Sequence, residues 1–248
     1  MKIFKFSLVA IVFACVVACK KPTLVALNVT VDDAAAVLGA SVASNSYGYN
    51  TLSADVNTYA QSALNSNLAC GASKTDTFSR KSAAGASATY AYAMSYTRKL
   101  NCNVSNVADN FSATLTFTGY YNTSSVMLSN SGTLTSTIGG LTSTATTYVI
   151  NGEYKTSGTF KVKRDTTNTG TASVDIVLKN LVVAKPTATA PQMINSGTAT
   201  MILTGSTVNK GDFTYNGTIT FNGNSVATMV INGTTYTINM LTGTITKK

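Results

Sequence analysis

The chain is 248 residues long with a formal net charge of +9; 44% of it is hydrophobic and only 11% is charged, less than half the usual charged share of about 25%. Thr (41), Ser (25) and Asn (22) are abundant, and there is no His and no Trp. A histidine metal centre, a Ser-His-Asp or Cys-His catalyst and any His-based acid–base chemistry are therefore excluded, and the composition is equally unlike a highly charged disordered chain.

Lys2 and Lys5 precede an uncharged, almost wholly apolar run from Phe6 to Ala18. A helix of that length covers about 20 Å, whereas crossing the hydrocarbon core takes about 20 residues. The run reads as a signal-peptide core and not as a transmembrane span. It ends in Val16-Val17-Ala18-Cys19, which resembles the lipobox of bacterial lipoproteins: an aliphatic, a small-to-medium and a small residue before a cysteine. The resemblance implies that residues 1–18 are removed and that Cys19 carries a diacylglyceryl thioether. Two or more acyl chains hold a protein on a bilayer stably, where one is marginal. Lys20, not Asp, follows Cys19, which by resemblance to Gram-negative lipoprotein sorting implies the outer membrane, with the periplasmic or surface face left open. Residues 19–29 are then a lipidated tether, its Lys20 and Lys21 next to anionic headgroups. Cys15 leaves with the signal, and Cys70 and Cys102 remain as an even pair in an oxidising compartment, so a disulfide between them is expected.

Residues 30–248 read as one domain: a helical segment, 30–68, packed on a β region, 76–248. Thr30 caps the first helix, with Asp33 placed for a capping box and Asp32 favouring the positive helix end. Val31, Ala34, Ala35, Leu38 and Val42 recur at helical spacing, and Asn45-Ser46-Tyr47-Gly48 closes the helix. A second helix runs from about Leu52 to Leu64, with Leu52, Val56, Tyr59 and Ala63 on one stripe.

From about Asp76 the period changes to two. Tyr90, Tyr92, Met94 and Tyr96 share one face, and Phe111, Ala113, Leu115 and Phe117 oppose a row of Ser and Thr. Thr is β-branched and polar, which suits the wet face of a half-buried strand. The fold class is mainly β: a large antiparallel meander of about ten to twelve strands, forming a curved sheet, a sandwich or a soluble barrel. Asn151-Gly152, Asn222-Gly223 and Asn232-Gly233 are two-residue hairpin signals. Asn216-Gly217 is either a fourth or a bulge within a strand. Val149-Ile150-Asn151-Gly152 and Val230-Ile231-Asn232-Gly233 echo one another as strand–turn–strand units. A longer break, Ala184 to Asn195, holds Pro186 and Pro191. The Thr/Asn-rich β part resembles that of uncharacterised bacterial envelope lipoproteins, a likeness that implies no activity.

No phosphate loop, nucleophile elbow or zinc pattern is present, so no catalytic residue, metal site or cofactor is expected. The basic residues are scattered and form no nucleic-acid-binding stripe. The expectation is a lipid-anchored, non-enzymatic envelope module, attached to the membrane through acyl chains on Cys19. The alternatives are a carrier of a lipid or other apolar ligand in a curved-sheet cavity, with the helices as a lid, and a glycan-binding or adhesive surface domain. Tyr47, Tyr49, Tyr120 and Tyr121 stand near turns or segment ends, where exposure would let them contact a ligand.

Overall fold

The computed structural model describes residues 29–65, 68–166, 168–185 and 193–248. Residues 1–18, expected to be a signal peptide, and Cys19, Pro186 and Pro191 lie outside these residues. Two helices, α1 (Val31–Val42) and α2 (Tyr49–Asn65), precede eleven strands. These are β1 (Ser73–Lys81), β2 (Thr89–Cys102), β3 (Ala108–Asn122), β4 (Val126–Gly139), β5 (Thr147–Val162) and β6 (Thr169–Ala184), then β7 (Ile194–Thr207), β8 (Gly211–Phe221), β9 (Val226–Ile231), β10 (Thr234–Asn239) and β11 (Ile245–Lys247). All pair antiparallel with their chain neighbours in one meander sheet that does not close, leaving β1 and β11 as edges. Lys74, Asp76, Arg80 and Lys81 put charge on the β1 edge, which discourages pairing with another chain.

The α1 cap forms as its residues dictate. The Asp33 amide donates to Thr30 Oγ1 at 3.1 Å, and the Thr30 amide donates to Asp33 Oδ2 at 3.3 Å. Nine of the twelve α1 residues are buried, far more than the single stripe of a helix lying on a flat sheet. The helix packs against β4 and β5 in mid-sheet and also against β10 and β11 at its last edge. One short helix can touch both only if the sheet curls around it. At the far end of α1, the amides of Ser44 and Asn45 donate to the carbonyls of Met240 and Leu241. Leu241 and Ser44 also share a surface hollow with Ser82 and Ala86 of the β1–β2 connection. The α1–α2 turn thus bridges the first and last hairpins across the gap the sheet leaves open.

Curvature has a local cause. At Gly132 a Cβ would lie 2.2 Å from the Lys155 carbonyl oxygen and 2.6 Å from Phe117 Cζ; at Gly158 it would lie 2.0 Å from the Ser129 carbonyl oxygen. Both glycines stand in the inward-facing alternation of their strands. Only the missing side chain lets the neighbouring backbone approach that closely. Phe117, directly opposite Gly132, covers the bare position with its ring.

Asn232-Gly233 forms the expected two-residue hairpin, with φ of 44° and 82°. Asn222-Gly223 also lies in a hairpin, but in a four-residue connection between β8 and β9. Two expectations are corrected. Asn151-Gly152 is not a turn: it lies inside β5, where the register with β6 shifts between Ile150 and Gly152. The Asn151 side chain accepts from the Asn180 amide at 2.9 Å, so this Asn-Gly serves a bulge and not a reversal. Residues 149–154 are therefore no strand–turn–strand unit, and the echo with 230–236 is one of sequence alone. Asn216-Gly217 likewise continues β8, and its carbonyl accepts from the Asn232 amide.

Candidate functional site

The concave side of the sheet is occupied by the helices, and tyrosine hydroxyls fasten them. Tyr96 donates to the Val56 carbonyl at 3.2 Å, Tyr148 to Gln61 Oε1, Tyr215 to the Val29 carbonyl, and Tyr236 to Asp32 Oδ1 at 2.5 Å. The Tyr236 hydroxyl, aided by Lys247, holds the Asp32 carboxyl below its ordinary range. Asp33, 2% exposed, accepts from Arg164 and from Asn168 Nδ2 (2.6 Å), tying α1 to the β5–β6 connection. Asp55 on α2 accepts from Tyr47 and pairs with Arg80 on β1 at 3.5 Å. Arg98, 3% exposed, is paired with Asp76 at 2.6 Å and lies over the rings of Tyr59 and Tyr96. These ionisable groups join one element to another.

Of the four tyrosines expected at the surface, only Tyr120 is exposed. Tyr47, Tyr49 and Tyr121 are buried in the core. Tyr47 packs on Tyr90 and Tyr92, and Tyr49 packs edge-on against Tyr154. Burial pushes the phenol groups of Tyr47, Tyr49 and Tyr121 up. Cys70 and Cys102 are disulfide-bonded, with Cα atoms 5.6 Å apart, which ties the lead-in to edge strand β1 to the end of β2.

The outward face carries the larger concavity. Strand registers align two outward rows across β1–β7. One row runs Thr77, Ser95, Thr116 and Thr133, then Lys155, Asp175 and Ile202. The other runs Ser79, Ala93, Thr118 and Ser131, then Ser157, Ser173 and Thr204. Between them lies a trough of about 670 Å³ over β1–β3, continuous through Thr116 and Phe117 with one of about 660 Å³ over β3–β7. Its floor is the back of the inward row that holds Phe117, Gly132, Thr156 and Val174. Below that floor Tyr92 donates to Asn130 Oδ1 (3.1 Å), Asn130 to Thr156 Oγ1 (2.7 Å) and Thr156 to the Ser131 carbonyl (3.1 Å). This chain fixes the floor with its buried polar groups paired.

The second row is uncharged along its whole length. The first carries one charged cluster, in which Lys155 Nζ is 2.7 Å from Glu153 Oε1 and 3.6 Å from Asp175 Oδ2. The bond to Glu153, helped by Asp175, holds the Lys155 ammonium above its ordinary range. Asp175 Oδ1 has no hydrogen-bond partner. That oxygen is shielded from solvent, beside a trough lined largely by Ser and Thr.

A smaller, more enclosed cleft of about 290 Å³ opens beside the first turns of α2, against the ends of β7, β8 and β10. Its apolar lining includes Ile194, Phe221, Val226, Met240 and Leu241. Among the described residues no group of three or more His, Cys, Asp or Glu side chains is placed to hold a metal ion. Comparison with protein-family models, curated proteins and solved structures returned no match to this chain.

Proposed function

We propose that this chain is a lipid-anchored protein of the bacterial cell envelope, held at the outer membrane through Cys19, whose folded domain is a non-enzymatic module that presents its outward sheet face to another envelope component. The observation that carries the reading is the division of labour between the two faces of the sheet. The inward face is committed to the helices through apolar packing and tyrosine hydroxyls, and the titratable groups there join elements. The outward face bears short hydroxyl side chains in register and contains the trough. The Cys70–Cys102 bridge is what an oxidising compartment produces. Fractionation of cells fed a labelled fatty acid tests the anchor. Label on the wild-type chain, and neither label nor membrane retention for Cys19→Ser, is expected. An unlabelled wild-type chain in the soluble fraction overturns it.

A carrier of an apolar ligand is the second reading, favoured by the partly enclosed cleft beside α2. Its volume is at the small end for ligand pockets, about 300 Å³. Native mass spectrometry of freshly purified protein distinguishes the two. A bound lipid displaced by a fluorescent fatty acid supports the carrier, and a bare mass with no uptake of the probe removes it.

A further inference from the structure

We propose that the end of the domain at which α1 begins docks on anionic phospholipid headgroups, through Lys161, Lys163, Lys247 and Lys248 with the exposed side chain of Val208 among them. The inference rests on the lipid-anchor reading and adds to it which end of the domain meets the bilayer.

These cations are far apart in sequence and the fold gathers them. Arg164 pairs with Asp33, and Lys247 lies 3.4 Å from Asp32, so the two flank the first turn of α1. Lys163 is next to Arg164, and its amide donates to the Ser125 carbonyl of the β3–β4 connection at 2.8 Å. Lys161 stands on the outward face of β5, opposite Met127 on β4 and Thr169 on β6. The pairing of Gly170 with Thr207 sets Val208 one position further out, in the β7–β8 turn. Lys161, Lys163, Lys247 and Lys248 are all exposed, as are Met127 at 43% and Val208 at 90%.

The acids of this end are largely engaged. Asp33 is buried against Arg164, Asp32 accepts from Tyr236, and Asp165 pairs with Lys210. Asp212, exposed at the start of β8, lies at the far side of the patch. Lys161, Lys163 and Lys248 make no ion pair among the described residues. Lysines beside an anionic leaflet are attracted to it, and apolar tips beside them enter the boundary between headgroups and acyl chains. An acidic protein would pair with the same cations, but the anchor decides between the two. Tyr215 holds the Val29 carbonyl at the start of α1. Residues 19–28 span at most about 35 Å even when fully straightened, whereas β5 alone is about 50 Å long. The end carrying these lysines is therefore the one kept nearest the bilayer.

The test uses the purified acylated chain reconstituted in phosphatidylethanolamine/phosphatidylglycerol vesicles and in phosphatidylcholine vesicles. Flotation reports anchoring, and acetylation rates of individual lysines, read by mass spectrometry, report contact. Lys161 and Lys163 should react about threefold or more slowly on the anionic vesicles, and about 1 M salt, which shortens screening to about 3 Å, should remove the difference. Lys179, exposed about 33 Å along β6 from Thr169, should react equally on both. Lys161→Glu/Lys163→Glu, at two exposed positions, should keep the wild-type melting temperature and raise the reaction of Lys247 and Lys248 on the anionic vesicles. Equal rates at Lys161 and Lys163 on the two vesicle types, stronger protection of Lys179, or no response of Lys247 and Lys248 to the double substitution overturns the inference while a floating chain leaves the anchor standing. A chain without acyl mass that stays off both vesicles overturns the anchor and this inference with it.

Discussion

Replacing Asp33 by Ala tests how α1 is seated. Asp33 is 2% exposed and serves three donors at once: the Thr30 amide at the helix start, Arg164, and Asn168 Nδ2 at 2.6 Å. Asn168 is itself fully buried, and its Oδ1 already lacks a partner, so its amide group cannot turn to water for compensation. Loss of a capping interaction costs about 1 kcal/mol, and an orphaned buried donor about 1–3 kcal/mol. The Arg164 side chain is 59% exposed, so its pairing is screened and adds only about 0.5–1 kcal/mol. The expected destabilisation is about 3–4 kcal/mol. At about 2–4 °C per kcal/mol for a domain this size, the melting temperature falls by roughly 10 °C. Asp33→Asn keeps one acceptor oxygen and should lose about half as much. Urea unfolding followed by circular dichroism measures both. A D33A loss under about 1 kcal/mol, or D33N worse than D33A, would refute the claim that this carboxylate fastens the helix to the β5–β6 connection.

The remaining predictions concern other parts of the fold. The Cys70–Cys102 bridge closes a loop with a sequence separation of 32, which the chain-entropy model values at about 3–4 kcal/mol. Cys70→Ser/Cys102→Ser should therefore melt roughly 10 °C lower, with hydrogen exchange rising first along β1; an unchanged melt would count against the bridge. Gly158→Val should cost about 1–3 kcal/mol by overpacking a close strand approach, whereas Ser157→Val, one residue away on the outward face, should cost under about 0.5 kcal/mol; equal costs would argue against the close approach as the source of curvature. Because Asp32 sits below its ordinary pKa of 3.8 through Tyr236 and Lys247, its contribution is present above that pH and is lost as the pH falls through the lowered value. Tyr236→Phe should therefore be less stable than wild type at pH 7, with the gap narrowing as the pH falls below about 4; a gap that stays constant on acidification would show that the hydroxyl does not act on the Asp32 charge.

Much of this fold could be read from local pattern. The Thr30–Asp33 capping box, the helical spacing of Ala34, Leu38 and Val42, and the period-two runs each depend on residues close in sequence. Elements that depend on neighbours could not be read this way. Asn151-Gly152 carries a strong turn signal, yet a bulge in a long strand uses the same conformational freedom; only the register with β6 tells the two apart. β1 begins at Ser73, ahead of the expected Asp76, because its exposed edge carries no alternating apolar residues to mark the start. Tyr47, Tyr49 and Tyr121 sit near turns, but a strongly curled sheet brings such positions inward, and a buried aromatic body outweighs a turn-proximal location. The trough was invisible in the sequence. Ser131, Ser157 and Ser173 become a wall only once two hairpin registers place them side by side. Asp175 was one of nine acids with no sign that one of its oxygens would lack a partner.

The most direct measurement is the intact mass, without reductant, of the chain recovered from the membrane fraction. The account predicts a polypeptide beginning at Cys19, heavier by its acyl groups and lighter by the two hydrogens lost in joining Cys70 to Cys102. A chain still beginning at Met1, or an unmodified Cys19 with two free thiols, would contradict it.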